Sequence, residues 1–416
     1  MFAFIVKTYR NFRLWGWKGV FHYIPQQIAK RRIRNKIMRF ARSCGRSPQR
    51  GITIIGGFSD TASLSKVFRD LAYRLKETGI PFQAYDPTPK QKIPLEDYAE
   101  IITPDADFDL FKYDHIIDDI VGLLTLPLPR SIKHSSIVFW EFDSGLIDGY
   151  PHILQVQDVI AMSDFNAIYF RKELPGSIGV HKILYPFRFT THKLEDSTIV
   201  RLHYGLKKDD FVVFFNFALG TARKNPEGTM KAFALAFKDE PSAQLVLKIL
   251  NAEDFPDRIA SLKELACKLG IDKQLHIIEE HLSQHALYDL VNICDVYMSL
   301  HHGEGFGIGI VEAMYLGKVI MVTNASAPTE YCNASNSILI PAHIETYSEI
   351  NHKLPYKGVK TWYVPDIRIA ASELRALFLD TRHREMLGRQ AYQSTKKYFS
   401  IEQFRASVES FLDSCI

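Results

Sequence analysis

Short apolar runs alternate with stretches of helical periodicity from Gly51 onward. The runs are rich in β-branched residues, which favour buried strands. In the first half of the chain, strands are predicted at Gly51–Ile55, Pro81–Tyr85, His115–Asp118, Ser136–Trp140 and Asp158–Met162. Between the first two, an amphipathic pattern predicts a helix over Ser63–Thr78 that ends at Gly79. Alternating strands and helices indicate a parallel sheet covered by helices.

A second unit with the same alternation follows the polar stretch Phe187–Asp196. Its predicted strands are Phe211–Phe215, Gln244–Ile249, Leu275–Ile278, Val296–Leu300 and Val319–Val322. Its predicted helices are Asn225–Lys238, Asp257–Leu269, Ala286–Cys294 and Gly307–Leu316. The sequence therefore predicts an α/β protein with two Rossmann-like, doubly wound domains, over residues 51–190 and 200–395. A terminal helix over residues 396–416 is expected to pack back on the N-terminal domain.

The composition narrows the class of protein. A length of 416 residues with 46% hydrophobic and 24% charged residues is typical of a globular protein with more than one core. The five cysteines are scattered and form no C-x-x-C pair, which argues against a disulfide framework or a zinc knuckle and favours a reducing cytoplasm. Neither an apolar run long enough to span a bilayer nor a secretory signal pattern is found, so we expect no membrane span.

The first 50 residues differ sharply in charge from the rest. They contain 13 Lys or Arg and no Asp or Glu, which leaves 51 − 13 = 38 basic against 47 acidic residues beyond them. Eight Phe, Trp and Tyr residues lie among these cations between positions 2 and 23. Cations interleaved with aromatic rings suit the headgroup layer of an anionic membrane. We therefore expect residues 1–50 to hold the protein peripherally on the inner face of the membrane. The alternatives are a packed or disordered extension and nucleic-acid binding, and the latter is not expected.

A glycine-rich segment, Ser299–Met314, stands where a predicted strand ends and a predicted helix begins. Ligands of doubly wound sheets bind at that edge, and a helix N-terminus there attracts an anion. The backbone N–H groups expected to meet a pyrophosphate are those of Gly305, Phe306, Gly307 and Ile308. Glu312, inside the helix, can reach back to a ribose, and Glu304 is expected at the mouth of the cleft. The alternative is a glycine turn with two incidental surface acids.

The segment Glu304-Gly-Phe-Gly-Ile-Gly-Ile-Val-Glu312 resembles the E-x7-E signature of retaining GT-B glycosyltransferases of family 4. The stretch Phe215–Pro226, with its Arg-Lys-Asn-Pro ending, is similar to a subgroup of that family. The resemblance implies that Lys224, with Arg223 beside it, clamps the donor diphosphate. It implies that Glu304 contacts the transferred sugar or balances its developing charge, and that Glu312 holds the ribose.

By the same resemblance, the Gly56-Gly57 turn after the first strand closes over the diphosphate or the acceptor. At the position where many members carry a histidine near the sugar, this chain offers Trp140, Glu141 and Asp143 as acceptor-side candidates. A basic residue that often precedes the clamp lysine is replaced by Ala218. The alternative for the Arg-Lys pair is a solvated pair before a capped helix that starts with proline.

The resemblance implies a GT-B enzyme that transfers a sugar with retention from a nucleotide diphosphate sugar to a glycan or polyprenyl-linked acceptor, in bacterial surface polysaccharide assembly. No cofactor and no metal are expected. The D-x-D pattern of Asp105–Asp109 would bind a metal in another transferase class, but it reads here as a solvated acidic turn. Two other functions remain open: a nucleotide-sugar epimerase of the same fold and an inactive membrane-bound sugar-binding protein.

Overall fold

The computed structural model describes residues 47–60, 63–87, 98–119, 128–189, 193–347 and 357–414, together with positions 35, 39 and 89. Almost all of the basic N-terminal segment therefore lies outside the described residues, and so does the prediction made for it. The described chain forms two six-stranded sheets, both parallel, and one two-stranded sheet. Helices accompany both large sheets, which confirms the predicted two-domain α/β architecture.

The first sheet is built from the N-terminal half of the chain. Its strands are β1 Gln49–Ile55, β2 Phe82–Tyr85, β3 Tyr113–Asp119, β4 Lys133–Ile137, β5 Asp158–Ala161 and β6 Gly179–Lys182, and its α-helices are α1 Ser63–Thr78, α2 Leu146–Gly149 and α3 Asp164–Glu173. Two 3-10 helices, Ala99–Ile101 and Pro151–Gln155, lie between strands. The strand order is β2-β1-β3-β4-β5-β6. Because β4 ends at Ile137 and not at the predicted Trp140, the residues after it form a loop at the carboxyl edge.

The second sheet repeats this design. Its strands are β7 Phe211–Ala218, β8 Ala243–Leu250, β9 Leu275–Ile278, β10 Val296–Ser299, β11 Val319–Thr323 and β12 Ile338–Ile340, and its α-helices are α4 Ser197–His203, α5 Pro226–Phe237, α6 Pro256–Leu269, α7 Gln284–Asn292 and α8 Ile308–Tyr315. Short 3-10 helices occupy Ala222–Lys224, Ala252–Asp254 and Ala327–Glu330. The strand order is β12-β11-β10-β7-β8-β9. The order reverses between β7 and β10, which is where ligands of such sheets bind.

Beyond the second sheet come a hairpin and three helices. The hairpin strands are β13 Ala342–Thr346 and β14 Thr361–Pro365, and the helices are α9 Ile367–Leu379, α10 Thr381–Tyr398 and α11 Ile401–Ser414. The chain returns here to the first domain, because α11 packs against α1. Arg74 Nη2 donates to Phe399 O at 2.8 Å, and Leu184 N donates to Ser407 Oγ at 3.1 Å. None of the helices over the described residues is both long and apolar enough to cross a membrane.

Candidate active site

The glycine-rich segment joins β10 to α8 at the carboxyl edge of the second sheet. Gly307 caps α8 with φ 94°, a left-handed conformation that favours glycine. A Cβ on Gly307 would also lie 2.7 Å from Tyr331 Oη. The first N–H groups of an α-helix have no acceptor within the helix, and at α8 they belong to the residues for which the sequence predicts contact with a pyrophosphate.

Glu304 is buried and ion-paired, and does not stand open at the cleft mouth as the sequence suggested. Its side chain contacts Lys224 Nζ, and its Oε2 lies 3.2 Å from Arg223 Nη1. Its backbone N donates to Ser326 Oγ at 3.1 Å. Burial alone would raise the pKa of Glu304, but the charges of Lys224 and Arg223 more than offset this and hold the pKa well below its ordinary value. Glu304 is therefore a carboxylate at neutral pH.

The Arg223-Lys224 pair is fixed by the structure and is not a freely solvated pair. It forms a short 3-10 turn that Asn225 ends at φ 51°. Asn225 Oδ1 accepts from Gly228 N at 3.0 Å and caps α5, while its Nδ2 donates to Leu300 O at 2.7 Å. One side chain thus ties the cations both to α5 and to the end of β10. The cap and the proline after it were the local signals for this turn.

Arg223 also joins the two domains. Its Nη2 lies 2.9 Å from Glu141 Oε1 and its Nη1 donates to Gly303 O at 3.2 Å. Glu141 and Glu304 together balance Arg223 and Lys224, so the cluster carries two positive and two negative charges. Burial raises the pKa of Glu141 and lowers that of Lys224, in each case against the pull of the opposite charges. A diphosphate that bound here would have to compete with Glu141 and Glu304 for the side chains of Arg223 and Lys224.

Glu312, the predicted ribose ligand, lies within α8. It is 3% exposed, and its Oε1 accepts from Gln284 Nε2 at 3.1 Å and from Tyr288 Oη at 3.4 Å. Across the cleft, Lys66 Nζ of α1 lies 3.8 Å from the same oxygen and 2.7 Å from Asp70 Oδ2. Burial raises the pKa of Glu312 although Lys66 opposes the shift. Nothing in the local sequence indicated Lys66 as part of the site, because an i, i+4 Lys-Asp pair is common on helix surfaces.

The Gly56-Gly57 turn follows β1 at the carboxyl edge of the first sheet. A Cβ on Gly56 would lie 2.7 Å from the ring of Phe68, so α1 packs directly on this turn. The loop continues into Phe58 and Ser59. Phe58 N and Ser59 Oγ each donate to Asp86 Oδ2 at 2.9 Å. The turn is thereby fixed against the neighbouring strand.

The acceptor-side candidates have three different environments. Trp140 is 3% exposed and its Nε1 donates to Ser144 O at 2.8 Å, so its ring is not an open platform for a sugar. Glu141 belongs to the cation cluster, and Asp143 is exposed. The glycine-rich segment packs on this loop, because a Cβ on Gly303 would lie 2.5 Å from Glu141 O. The structure thus brings Glu141 to the Arg223-Lys224 pair and leaves Asp143 exposed.

The predicted acidic turn over Asp105–Asp109 lies in the irregular chain before β3. Asp109 Oδ1 accepts from Phe111 N at 3.1 Å. Across the described part of the chain, no group of three or more His, Cys, Asp or Glu side chains is arranged to hold a metal ion.

Part of the second domain is similar in sequence to a known protein family. Residues 199–353 match the family described as "Glycosyl transferases group 1", and this span contains the cation pair and both glutamates of the signature. The similarity to this family is thus confined to part of the chain, within the second domain. None of the curated proteins compared with it gives a significant match.

Solved structures share the fold of both domains. The HepE protein of Anabaena, solved with UDP-glucose, is 17% identical, with 88% of this chain and 100% of that chain covered and a TM-score of 0.61. WaaG, described as a glycosyltransferase involved in lipopolysaccharide biosynthesis, is 14% identical, with 86% and 98% covered and a TM-score of 0.57. Sucrose-phosphate synthase from Thermosynechococcus elongatus is 13% identical, with 88% and 99% covered and a TM-score of 0.61. These likenesses confirm the GT-B architecture.

His301, at the start of the glycine-rich segment, is not among the site residues predicted above. His301 is 0% exposed, and burial lowers its pKa to about 4, so it is neutral at pH 7. Its Nδ1 lies 3.2 Å from Ser299 Oγ, and its O accepts from Thr323 Oγ1 at 2.7 Å. His301 therefore supports the base of the glycine-rich segment.

Proposed function

We propose that the protein is a retaining glycosyltransferase that takes its sugar from a nucleotide diphosphate donor. The observation that carries this proposal is the convergence of Arg223 and Lys224 on Glu304 at the N-terminus of α8, with Glu312 farther along that helix. Two cations and a helix N-terminus suit a diphosphate, and a buried carboxylate beyond them suits a ribose. The GT-B fold and the similarity to group 1 glycosyltransferases support the same reaction class.

The charge balance of the cluster indicates how the donor would act on it. Before the donor binds, Glu141 and Glu304 neutralise the two cations. A diphosphate competes for the cations and leaves Glu304 free to face the sugar. As the bond to the sugar breaks, negative charge grows on the departing diphosphate and positive charge grows on the anomeric carbon. Lys224 and Arg223 stabilise the first, and Glu304 stabilises the second.

The reaction proposed here uses neither a metal nor a cofactor. Fixed cations and backbone N–H groups already provide the electrostatic stabilisation that a divalent ion provides in other transferases. The departing phosphate can itself accept the proton of the incoming hydroxyl, so the demand for a strong general base is modest. Retention at the anomeric carbon follows when the acceptor attacks from the face that the phosphate leaves.

The acceptor side of the proposal rests on the basic aromatic N-terminal segment. We propose that residues 1–50 bring the protein to the cytoplasmic face of an anionic membrane, where a polyprenyl-linked acceptor would be presented. Assembly of a bacterial surface polysaccharide is the process that such an acceptor indicates. Among the structural neighbours, WaaG is described as acting in lipopolysaccharide biosynthesis.

Release of free nucleoside diphosphate tests the proposed reaction. UDP-glucose, UDP-N-acetylglucosamine and GDP-mannose are offered to the full-length protein, beginning with UDP-glucose because HepE was solved with it. We expect slow hydrolysis of one donor, faster release when a polyprenyl-linked acceptor is added, and no loss of either in EDTA. Conversion of the donor to an isomer without release would indicate an epimerase. Donor binding without turnover would indicate a sugar-binding protein, and rescue of an EDTA-treated sample by divalent ions would contradict the metal-free mechanism.

The stereochemistry is tested on the product. Proton NMR of the first product formed, before any mutarotation, gives the anomeric configuration. The donors named above are α-linked, so an α-linked product confirms retention and a β-linked product contradicts it.

A further inference from the structure

The hairpin β13–β14 contacts both domains at the cleft. Its strands pair from Ala342 opposite Pro365 to Thr346 opposite Thr361. One residue beyond β13, Tyr347 N donates to Lys360 O at 2.8 Å. Most of β13 is exposed. The hairpin is therefore held through β14 and through Tyr347, Val359 and Lys360.

At one end, β14 holds the glycine-rich segment through His302. Tyr363 N donates to His302 O at 3.0 Å, and His302 Nδ1 donates to Tyr363 O at 2.6 Å. The imidazole ring stacks on Trp362, with ring centroids 4.0 Å apart and an interplanar angle of 29°. His302 N also donates to Arg223 O at 2.7 Å. His302 is thus joined to the hairpin and to the cation pair, and it lies two residues before Glu304.

At the other end, the hairpin holds the loop after β4 of the first domain. Lys360 N donates to Ser144 Oγ at 3.1 Å. A Cβ on Gly145 would lie 2.5 Å from Val359 N, so the two backbones are in direct contact. An apolar cluster seals this contact, and its buried members include Trp140, Phe142, Leu146, Tyr347 and Val359.

We infer that the hairpin sets the spacing between the segment Gly303–Gly307 and the acceptor-side loop Trp140–Ser144, with His302 as the positioning residue. A sugar held by Glu304 can react only when the acceptor side lies at a fixed distance, and a displacement of about 1 Å at a reacting centre can lower a rate by roughly 100-fold. The hairpin is hydrogen-bonded to His302 beside the first segment and to Ser144 in the second. For its effect on the reaction, the inference rests on the function proposed above.

Hydrogen exchange in the full-length protein without ligand tests whether the hairpin couples the two segments. His302→Ala removes the side-chain hydrogen bond and the ring stack but keeps the backbone bonds. We expect exchange to rise roughly tenfold in residues 303–307, in proportion to the loss of one hydrogen bond, and to rise also across the cleft in residues 144–147. His302→Asn, which keeps a donor near Nδ1, should restore part of the protection. The control is His343→Ala on exposed β13, which should change neither segment.

Two exchange results would overturn the inference. If His302→Ala changes residues 303–307 alone, His302 acts only within its own segment and the hairpin does not connect the domains. If His343→Ala has the same effect as His302→Ala, the hairpin responds to any substitution and His302 has no special position. Trp362→Ala, which removes the other half of the ring stack, should reproduce the pattern of His302→Ala if the hairpin transmits it.

Steady-state kinetics test the consequence for catalysis, with whichever of UDP-glucose, UDP-N-acetylglucosamine or GDP-mannose the wild-type protein consumes. We expect His302→Ala to lower kcat roughly tenfold while the KM for the donor changes less than about twofold, because the donor ligands stay in place. An unchanged kcat, or a loss confined to KM, would contradict a positioning role. If the wild type consumes none of the three, the proposed function fails, and the exchange experiment still decides whether the hairpin couples the domains.

Discussion

At the scale of single residues, Lys224 has the clearest task in the proposed reaction. Its Nζ contacts Glu304 in the buried cation cluster, and no other lysine in the described chain contacts that carboxylate. Lys224→Ala should lower turnover by at least about 100-fold, since one fixed charge on a departing oxyanion contributes about 3 kcal/mol. The measurement is nucleoside diphosphate release, with the melting temperature recorded beside it. Lys231→Ala, on the exposed face of α5, is the matched control. Wild-type turnover in folded Lys224→Ala protein would rule out the clamp.

His301 gives the site a dependence on pH. Its pKa is lowered to about 4 by burial, whereas in the unfolded chain it is about 6.5. Between these values the unfolded state binds the extra proton, so the stability contributed by neutral His301 is present above pH 6.5 and is lost as the pH falls toward 4. The low pKa of Glu304 acts in the same direction at still lower pH.

Urea unfolding at pH 7 and pH 4.5 measures this loss. For the wild type, His301 should account for about 2 to 3 kcal/mol of the decrease in the free energy of unfolding. His301→Gln should show a correspondingly smaller decrease between the two pH values, whatever its stability at pH 7. Equal decreases in wild type and His301→Gln would show that His301 is not the buried neutral group described here.

At the scale of secondary-structure elements, α10 approaches the turn after α8 without space for a side chain. A Cβ on Gly388 in α10 would lie 2.2 Å from Gly317 O, and Gly317 has φ 68°. This contact holds α10 against the end of the helix that carries Glu312. A glycine in the middle of a helix costs about 1 kcal/mol, so the close approach explains why the sequence keeps one there.

Gly388→Ala tests that close approach. Overpacking costs about 1 to 3 kcal/mol and exceeds the gain in helix propensity, so we expect the free energy of unfolding to fall by about 1 to 2 kcal/mol. Gly176 is the control, because a Cβ there meets no atom within 4 Å. Gly176→Ala should stay within about 0.5 kcal/mol of the wild type. A stabilised Gly388→Ala protein would mean that α10 lies farther from the turn.

At the scale of the whole molecule, donor binding and membrane contact are proposed for different parts of the chain. The described site lies entirely beyond β1, and the basic segment lies before it. Removal of residues 1–48 should therefore abolish sedimentation with anionic liposomes and leave donor binding unchanged. Each basic residue near such a surface contributes about 1 kcal/mol, so binding of the full chain should weaken as salt screens the charges. Sedimentation of the truncated protein would place the membrane contact elsewhere, and a full chain that never sediments would contradict membrane recruitment.

Much of the fold was readable from local patterns. The helix Ser63–Thr78 and the strand Leu275–Ile278 have the predicted bounds, and most other predicted elements differ by a few residues at their ends. The short strand β6, the edge strand β12 and the hairpin were missed. These segments are half-exposed or polar, so their pairing depends on a neighbouring strand that the local sequence does not reveal.

The sequence by itself determined where the site would be. A strand-to-helix junction rich in glycine, a capped Arg-Lys turn and a glutamate inside the helix are local features, and local backbone preferences place them at the edge of a sheet. These features also carried the resemblance to a glycosyltransferase family. What they could not specify is which side chains meet across the cleft.

Only the tertiary structure decided those partners. Arg223 meets Glu304 from 81 positions away in the chain, Lys66 reaches Glu312 from the other domain, and the loop after β4 turns Glu141 toward the cations. The first contact depends on which strands are neighbours in the second sheet and the other two on how the domains face each other, so none of them leaves a periodic trace along the chain. The same physical reason hid the hairpin that joins the two domains at His302.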